Sequence, residues 1–290
     1  MNQVQGISVI IPASNEEAVL PSCLDAVISG DHPFRAAGAT NAGLGAELIV
    51  VPNGCRDATA AVAKSYQEKA RAAGWTLRVI EITDGGKLNA LNRADDVASF
   101  SSRVYLDADV VVSAGLIRRL ATELKRDEAL YATGRLKITP PRTGVTRAYA
   151  RFWSKLPFVA NGVPGCGLFA VNAAGRQRWG VFPEIISDDT YVRLQFQPSE
   201  RIAVAESYLW PMVEGFSNLV RVRRRQDIGV REINERYPQL VKNNDEPTIG
   251  WPRLLALAAR DPIGFAVYAA VALAVRLPAR AGGEIWARGR

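Results

Sequence analysis

The first 110 residues alternate short β-branched apolar segments with amphipathic ones, and few folds accommodate that order. Ile7 to Ile11 is rich in isoleucine and valine and reads as a strand covered on both faces. Ser14-Asn15-Glu16-Glu17 then reads as a helix start with acidic residues in its first turn, the helix running to about Ile28. After the Gly- and Ala-rich stretch Asp31 to Ala46, a loop, the alternation resumes. Strands are expected at Glu47 to Val51, Leu77 to Ile82 and Arg103 to Leu106, and helices at Asp57 to Ala73 and Lys87 to Ala98. Such alternation implies a parallel sheet with helices on both faces, all strand C-termini on one edge. Ligands of these sheets bind outside those C-terminal ends. Asn15, Asn53, Asp84 and Asp107 each follow an expected strand, so one rim should collect them.

After Ser113 the pattern changes. Helices are expected at Leu116 to Leu124, Val145 to Leu156, Asn172 to Gly180 and from Asp188 to Leu194. Strands are expected at Tyr131 to Thr139, after the Gly-rich turn within Gly162 to Ala170, and at Arg201 to Ala205. The last segment is distinct, with apolar runs Leu254 to Ala259 and Ile263 to Val275 around Arg260-Asp261-Pro262. A bilayer span needs about 20 apolar residues, so neither run fits one. Two readings stay open: an interfacial helix with Trp251, Arg253, Arg276, Arg280 and Trp286 at headgroup level, or packing against the domain or a second subunit.

Composition removes several chemistries. The single histidine, His32, beside Pro33, gives little support to His-dyad, His-metal or Ser-His mechanisms, so a general base is expected to be a carboxylate. Cys23, Cys55 and Cys166 are too scattered for a disulfide framework or a zinc pattern, and no signal peptide precedes Ile7; a reducing cytoplasm is the expected compartment. The net charge of +7 suits an anionic partner: a nucleotide, a nucleic acid or the surface of an anionic membrane. Positive charge clusters at Arg221 to Arg225 and from Arg276 to Arg290, without the interleaved aromatics of a nucleic-acid binder, so no nucleic-acid partner is expected.

Three clusters carry chemistry. Asp107-Ala108-Asp109 ends the fourth expected strand, where paired carboxylates suit a hard cation such as Mn2+ or Mg2+ that keeps positions open for phosphates. In extended backbone the two side chains would point the same way. Asp84-Gly85-Gly86-Lys87 follows the third strand and would bring a lysine to a helix N-terminus, a setting for phosphate. Ser187-Asp188-Asp189-Thr190 is a second acidic pair, readable both as a capped helix start and as the place of a general base.

In this order the residues resemble glycosyltransferase family 2, the inverting nucleotide-sugar enzymes of the GT-A fold. The resemblance runs through Ile10-Ile11-Pro12-Ala13-Ser14-Asn15-Glu16-Glu17, Asn53-Gly54-Cys55-Arg56-Asp57-Ala58-Thr59, Gly86-Lys87-Leu88-Asn89-Ala90-Leu91-Asn92 and Asp107-Ala108-Asp109. Gly165-Cys166-Gly167-Leu168-Phe169 is similar to the family's Gly-rich acceptor-side segment, and Asp188-Asp189 to its Glu-Asp pair. Each motif is loose alone; together in this order they are specific. The resemblance implies an α/β fold, a Rossmann-like, mostly parallel sheet flanked by helices, with a C-terminal helical, apolar and basic extension. It divides the chain into a GT-A domain at 1–225, with a nucleotide-sugar half at 1–112 and an acceptor half at 113–225, and an extension at 226–290 that is a candidate for membrane association.

The resemblance also implies roles. Pro12, Ala13, Asn15 and Glu16 line the nucleotide pocket, Asn53 lies near the base, and Lys87 near base or phosphates. Asp107 and Asp109 hold ribose and metal-bound diphosphate, with Mn2+ or Mg2+ as cofactor. Asp189, beside Asp188, takes the proton from the acceptor hydroxyl. Gly165, Cys166, Gly167 and Trp153 fall on the acceptor side, and Arg221 and Arg224 near the donor. Three positions depart from the pattern: Pro52 replaces an aspartate that often reads uracil, Asp188 replaces the usual glutamate, and Arg221 to Arg225 stand in for an intact Gln-x-x-Arg-Trp motif. The expected function is metal-dependent, inverting, non-processive transfer from a nucleoside-diphosphate sugar to an acceptor glycan or lipid-linked sugar in cell-surface glycan or glycolipid synthesis. It is expected in the cytoplasm or peripherally on the cytoplasmic membrane face. The rivals are a retaining GT-A enzyme acting on a small phosphorylated acceptor and a sugar-1-phosphate nucleotidyltransferase.

Overall fold

The structure, a computed structural model, describes residues 5–30, 32–34, 44–245 and 249–277. Most of the expected loop at 31–46 and the proposed anchors Arg280 and Trp286 lie outside the described residues. By internal contact the chain forms two compact units, interleaved in sequence. The first comprises Met1–Lys137, Gly165–Glu184 and Gln195–Trp210, the second Ile138–Pro164, Ile185–Leu194 and Pro211–Arg290.

The first unit holds the sheet. In chain order come β1 (Gln5–Ala13), α1 (Leu20–Ser29), β2 (Leu44–Pro52), α2 (Thr59–Ser65), α3 (Gln67–Ala72), β3 (Thr76–Val79), α4 (Lys87–Val97), β4 (Ser102–Leu106), β5 (Val111–Val112), α5 (Leu116–Glu123) and β6 (Tyr131–Ile138). The chain passes through α6 (Gly144–Trp153) and α7 (Pro157–Ala160) of the second unit. It returns to the first as β7 (Leu168–Val171) and α8 (Ala173–Arg176), contributes α9 (Asp188–Arg193) to the second, and returns again as β8 (Arg201–Trp210). The remaining helices, α10 (Phe216–Arg236), α11 (Trp251–Arg260) and α12 (Pro262–Arg276), belong to the second unit.

The eight strands run in the order β3-β2-β1-β4-β7-β6-β8-β5. β3, β2, β1 and β4 are parallel, as the alternation requires, so Ala13, Pro52, Val79 and Leu106 end on one rim. From β7 onward the pairings β4–β7, β7–β6 and β8–β5 are antiparallel. Ile7, Val9, Ile10 and Ile11 are fully buried, each contributing about 1.5–3 kcal/mol relative to exposure. Ser8, the one polar residue among them, donates to the buried Glu47 at 2.7 Å.

Two local expectations are corrected. The first helix begins at Leu20 rather than near Ser14. The Ser14 hydroxyl donates to the Asn53 carbonyl at 2.6 Å, and Asn15 adopts φ 54°, so neither continues a helix. Pro21 then fits the first turn, where a missing N–H costs nothing. The expected helix at Asp57 to Ala73 is divided at Tyr66, which lies between α2 and α3 and whose hydroxyl donates to the Pro21 carbonyl at 3.2 Å.

In the second unit α12 packs one face on α6 and α10. Tyr149, Leu219 and Val271 form its centre, with Tyr268 5.5 Å from Tyr149 and 5.2 Å from Phe152, ring to ring. Asp261 caps α12 through the Gly264 amide at 3.0 Å and accepts two bonds from Arg151, at 2.8 and 2.7 Å. Among the described residues no helix is long and apolar enough to cross a membrane.

Candidate active site

The rim of the first unit is tied together by side chains from three strand ends. Asn53, buried after β2, donates from Nδ2 to the carbonyls of Ala13 at 3.0 Å and Val51 at 3.2 Å. Its Oδ1 accepts the Gly86 amide at 3.0 Å. Asn53 thereby fixes the loop that delivers Lys87 to the start of α4, while its own amide is engaged in bracing. Pro12 and Ala13 lie buried in the last turn of strand before the rim.

A second tie joins the loops after β1 and β2. Asn15 Oδ1 accepts the Arg56 amide at 2.6 Å, and the Glu16 amide donates to Thr59 Oγ1 at 2.7 Å. Glu17 accepts the Ala58 amide at 2.8 Å, while Asp57 accepts the amides of Glu17 at 3.2 Å and Thr59 at 3.1 Å and the Thr59 hydroxyl at 2.5 Å. Desolvation raises the Asp57 carboxyl, but these hydrogen bonds outweigh it and hold the group below its ordinary value. The contacts assign Asn15 and Glu16 to loop geometry at the rim.

Asp107 and Asp109 follow β4, both partly exposed. The segment is a turn rather than extended backbone, because the Val110 amide donates to the Asp107 carbonyl at 3.1 Å. The Asp107 amide donates to Gly167 O at 2.9 Å, which joins the acidic turn to the Gly-rich segment. Lys87 Nζ lies 2.8 Å from Asp107 Oδ1. At this exposure the pair contributes at most about 1 kcal/mol to stability, and its consequence is a lysine held beside the carboxylates. Beneath them the Cys23 thiol donates to the Asp107 carbonyl at 3.8 Å. Burial, then the charges of Asp109 and Asp107, push that thiol far above its usual range.

The two carboxylates offer oxygen donors of the kind a hard cation takes. Among the described residues no group of three or more His, Cys, Asp or Glu could hold a metal ion. Gly165 and Gly167 have φ of 67° and 71°. A Cβ on Gly165 would fall on the Tyr131 hydroxyl, and one on Gly167 would lie 2.7 Å from Trp210. The Tyr208 hydroxyl donates to the Cys166 carbonyl at 2.9 Å, completing the support of this segment.

The other expected residues belong to the second unit. Asp188 is buried and Asp189 partly exposed in the first turn of α9. The expected capping by Ser187 is absent from its side chain; Asp189 Oδ1 instead accepts the Thr190 amide at 2.7 Å. α9 is fixed from both sides. A Cβ on Gly229 of α10 would strike Ser187 Oγ, Glu232 accepts the Ile186 amide at 2.9 Å, and buried Arg193 pairs with Asp245 at 2.8 Å. Trp153 packs around the Tyr149–Leu219–Val271 centre. Arg221 donates to Asn218 at 2.8 Å, and Arg224 donates to the carbonyls of Ala274 and Leu277 at 3.0 Å and Val275 at 3.4 Å, capping α12.

The family model described as glycosyl transferase family 2 matches residues 8–178. The chain belongs to that family. Its members are transferase enzymes, and the sheet with its flanking helices is the GT-A fold. Among curated relatives, the dolichyl-phosphate beta-glucosyltransferase of Drosophila melanogaster is 38% identical over 104 residues, 36% of this chain and 30% of that protein. The poly-beta-1,6-N-acetyl-D-glucosamine synthase of Staphylococcus epidermidis is 28% identical over 137 residues, 47% of this chain and 30% of that protein. The chain thus matches about a third of the length of these relatives. Among solved structures, the mannosyltransferase PcManGT from Pyrobaculum calidifontis, in complex with GDP-Man and Mn2+, superimposes with a TM-score of 0.58 at 20% identity, over 94% of this chain and 76% of that one. S. aureus TarS in complex with UDP-GlcNAc gives 0.50 at 15% identity, over 90% and 73%.

The rim's bracing was invisible to sequence reasoning. Cys23 carried one available signal: Leu20, Cys23, Leu24 and Val27 recur at helical spacing, so the thiol had to face the sheet. Nothing in the sequence signals that Lys87 and Asp107 pair, since they lie on different elements.

Proposed function

We propose that this glycosyltransferase moves a sugar from a nucleoside-diphosphate sugar to an acceptor hydroxyl, with inversion and without processive elongation. The observation that carries the reading is the Asp107–Asp109 turn at the parallel rim, with Lys87 at 2.8 Å and Gly167 bonded to its backbone. Asp107 and Asp109 would hold Mn2+ or Mg2+, which when bound supplies charge neutralisation at the diphosphate. Lys87 exchanges its carboxylate partner for a phosphate oxygen, and Arg221 adds positive charge near the donor. Asn53, Asn15 and Glu16 hold the rim in shape for the nucleotide, and Pro12 and Ala13 form its floor.

Asp189, beside buried Asp188, accepts the proton of the attacking hydroxyl while the Thr190 amide restrains its carboxylate. The sugar's anomeric carbon gains the acceptor oxygen and loses the diphosphate in one displacement, which inverts its configuration. Gly165, Cys166, Gly167 and Trp153 take the acceptor side. For Arg224, its three carbonyl bonds compete with a donor contact and favour a structural role. GDP- and UDP-sugars, the donors in the PcManGT and TarS complexes, are the first to assay. The relatives' names, with dolichyl phosphate in one and poly-beta-1,6-N-acetyl-D-glucosamine in another, favour a lipid-linked or glycan acceptor.

The deciding experiment is Asp189→Asn. Turnover should fall about 10²–10⁴-fold with donor affinity unchanged. Near-normal turnover in the folded variant removes Asp189 from the chemistry, and a product of retained anomeric configuration by NMR removes the inverting reaction.

A further inference from the structure

The second unit carries an apolar surface that its own packing does not use. Along α12, Ile263, Ala266, Ala270 and Leu273 recur every three or four residues, which places them on one helical stripe, and Leu277 follows at the helix's C-terminal cap. They lie away from the packed face of Gly264 and Val271. Ile263, Leu273 and Leu277 are 68%, 62% and 65% exposed. On α11 no residue is buried, and Trp251 and Leu255, one turn apart, are 75% and 62% exposed.

The charge on these helices has one sign. Arg253, Arg260 and Arg276 are exposed, and the single acid between Ile249 and Leu277, Asp261, is buried and bonded to Arg151. Asp261 stands between the two helices and ties that joint to Arg151 of α6.

We propose that α11 and α12 dock this face in the headgroup region of an anionic lipid bilayer, lying along it without crossing. An apolar face set 5–10 Å deep with flanking arginines and an interfacial tryptophan is the arrangement such docking needs. A second copy of the chain fits less well. A two-fold interface through α11 and α12 would bring the arginines of each copy toward those of the other, and between Ile249 and Leu277 no exposed acid is present to meet them. The inference is independent of the transfer reaction.

The test is flotation of the full chain with phosphatidylcholine vesicles, with and without phosphatidylglycerol. The chain should float with the anionic vesicles and stay behind with the neutral ones, less so as salt rises. Arg253→Ser/Arg260→Ser/Arg276→Ser should weaken the partition about a hundred-fold, at about five-fold per charge, and the corresponding lysine variant should restore it. Trp251→Ser/Ile263→Ser, both at exposed positions, should abolish flotation while leaving the melting temperature in place. Failure of the chain to float, equal flotation on both vesicle types, or unchanged flotation of either serine variant overturns the proposal. So does a dimer in sedimentation equilibrium, without lipid, that the Trp251→Ser/Ile263→Ser variant dissolves. No sugar transfer enters the assay, so an inactive enzyme and a wrong docking surface give different results.

Discussion

Two of the chain's acidic pairs, Asp107/Asp109 and Asp188/Asp189, have the same composition, and their backbones treat them differently. Asp107 and Asp109 sit in a turn at the end of a buried strand, partly exposed, with Lys87 at one carboxylate. Asp188 and Asp189 occupy the first turn of a six-residue helix, one buried, their segment clamped by α10 through Gly229 and Glu232. The first setting presents two partly exposed carboxylates at the rim with a lysine beside one of them. The second holds its carboxylates in the first turn of a helix whose approach is tied to α10. Adjacent acids do not define a role; the element that presents them does.

The comparison is tested most severely by exchanging charge for neutral amide at each pair. Asp109→Asn should act on the donor, weakening its binding and lowering kcat/KM about 10²–10³-fold. Asp189→Asn should act on turnover alone. Isothermal titration of the donor analogue beside steady-state kinetics separates the two, and equal effects on binding and turnover from both variants would erase the distinction.

A smaller effect is expected where the first pair meets the Gly-rich segment. Gly165→Ala places a methyl on the Tyr131 hydroxyl at a φ of 67°. Strain and overpacking together should destabilise the protein by about 2–4 kcal/mol, measured by chemical denaturation. Gly229→Ala probes the clamp on the second pair. Alanine in a helix gains about 1 kcal/mol over glycine, but here the methyl strikes Ser187 Oγ, so a net loss of about 1–2 kcal/mol and a fall in kcat at unchanged donor affinity are expected. A stabilised, fully active variant would show that the clamp does not position α9.

The smallest expected effect concerns pH. Desolvation raises the Glu214 carboxyl, but bonds from the Thr143 hydroxyl and the Arg142 and Thr143 amides outweigh it and hold the group at about 2. Because the folded value lies below the unfolded one, its contribution is complete above about pH 4.5 and disappears as pH falls toward 2. Allowing for its partial exposure, about 1–2 kcal/mol of second-unit stability should depend on it. Glu214→Gln should flatten that part of the acid-unfolding curve followed by fluorescence.

The parallel half of the sheet was legible because wholly buried strands leave continuous apolar runs, as at Val104-Tyr105-Leu106 and Leu48-Ile49-Val50-Val51. The rim followed from strand direction alone. The start of α1 was not legible, because Ser14 and Asn15 form hydrogen bonds to residues near 53 and 56, far along the chain. The clustered arginines were equally opaque: on α10, Arg224 meets the carbonyls ending α12, whereas Arg223 pairs with Asp227 at 2.9 Å. Charge in sequence does not state its partner.

The sequence by itself determined the family, the order of strands and helices in its first half, and the placing of Asn15, Asn53, Lys87 and Asp107 at the ends of their elements, because these depend on local periodicity and motif order. The tertiary structure alone decided that Asn53 braces the rim, that Lys87 pairs with Asp107, that Cys23 lies under both carboxylates, and that α12 packs one face and exposes the other. Each of these depends on contacts between residues distant in sequence, whose geometry no local pattern encodes.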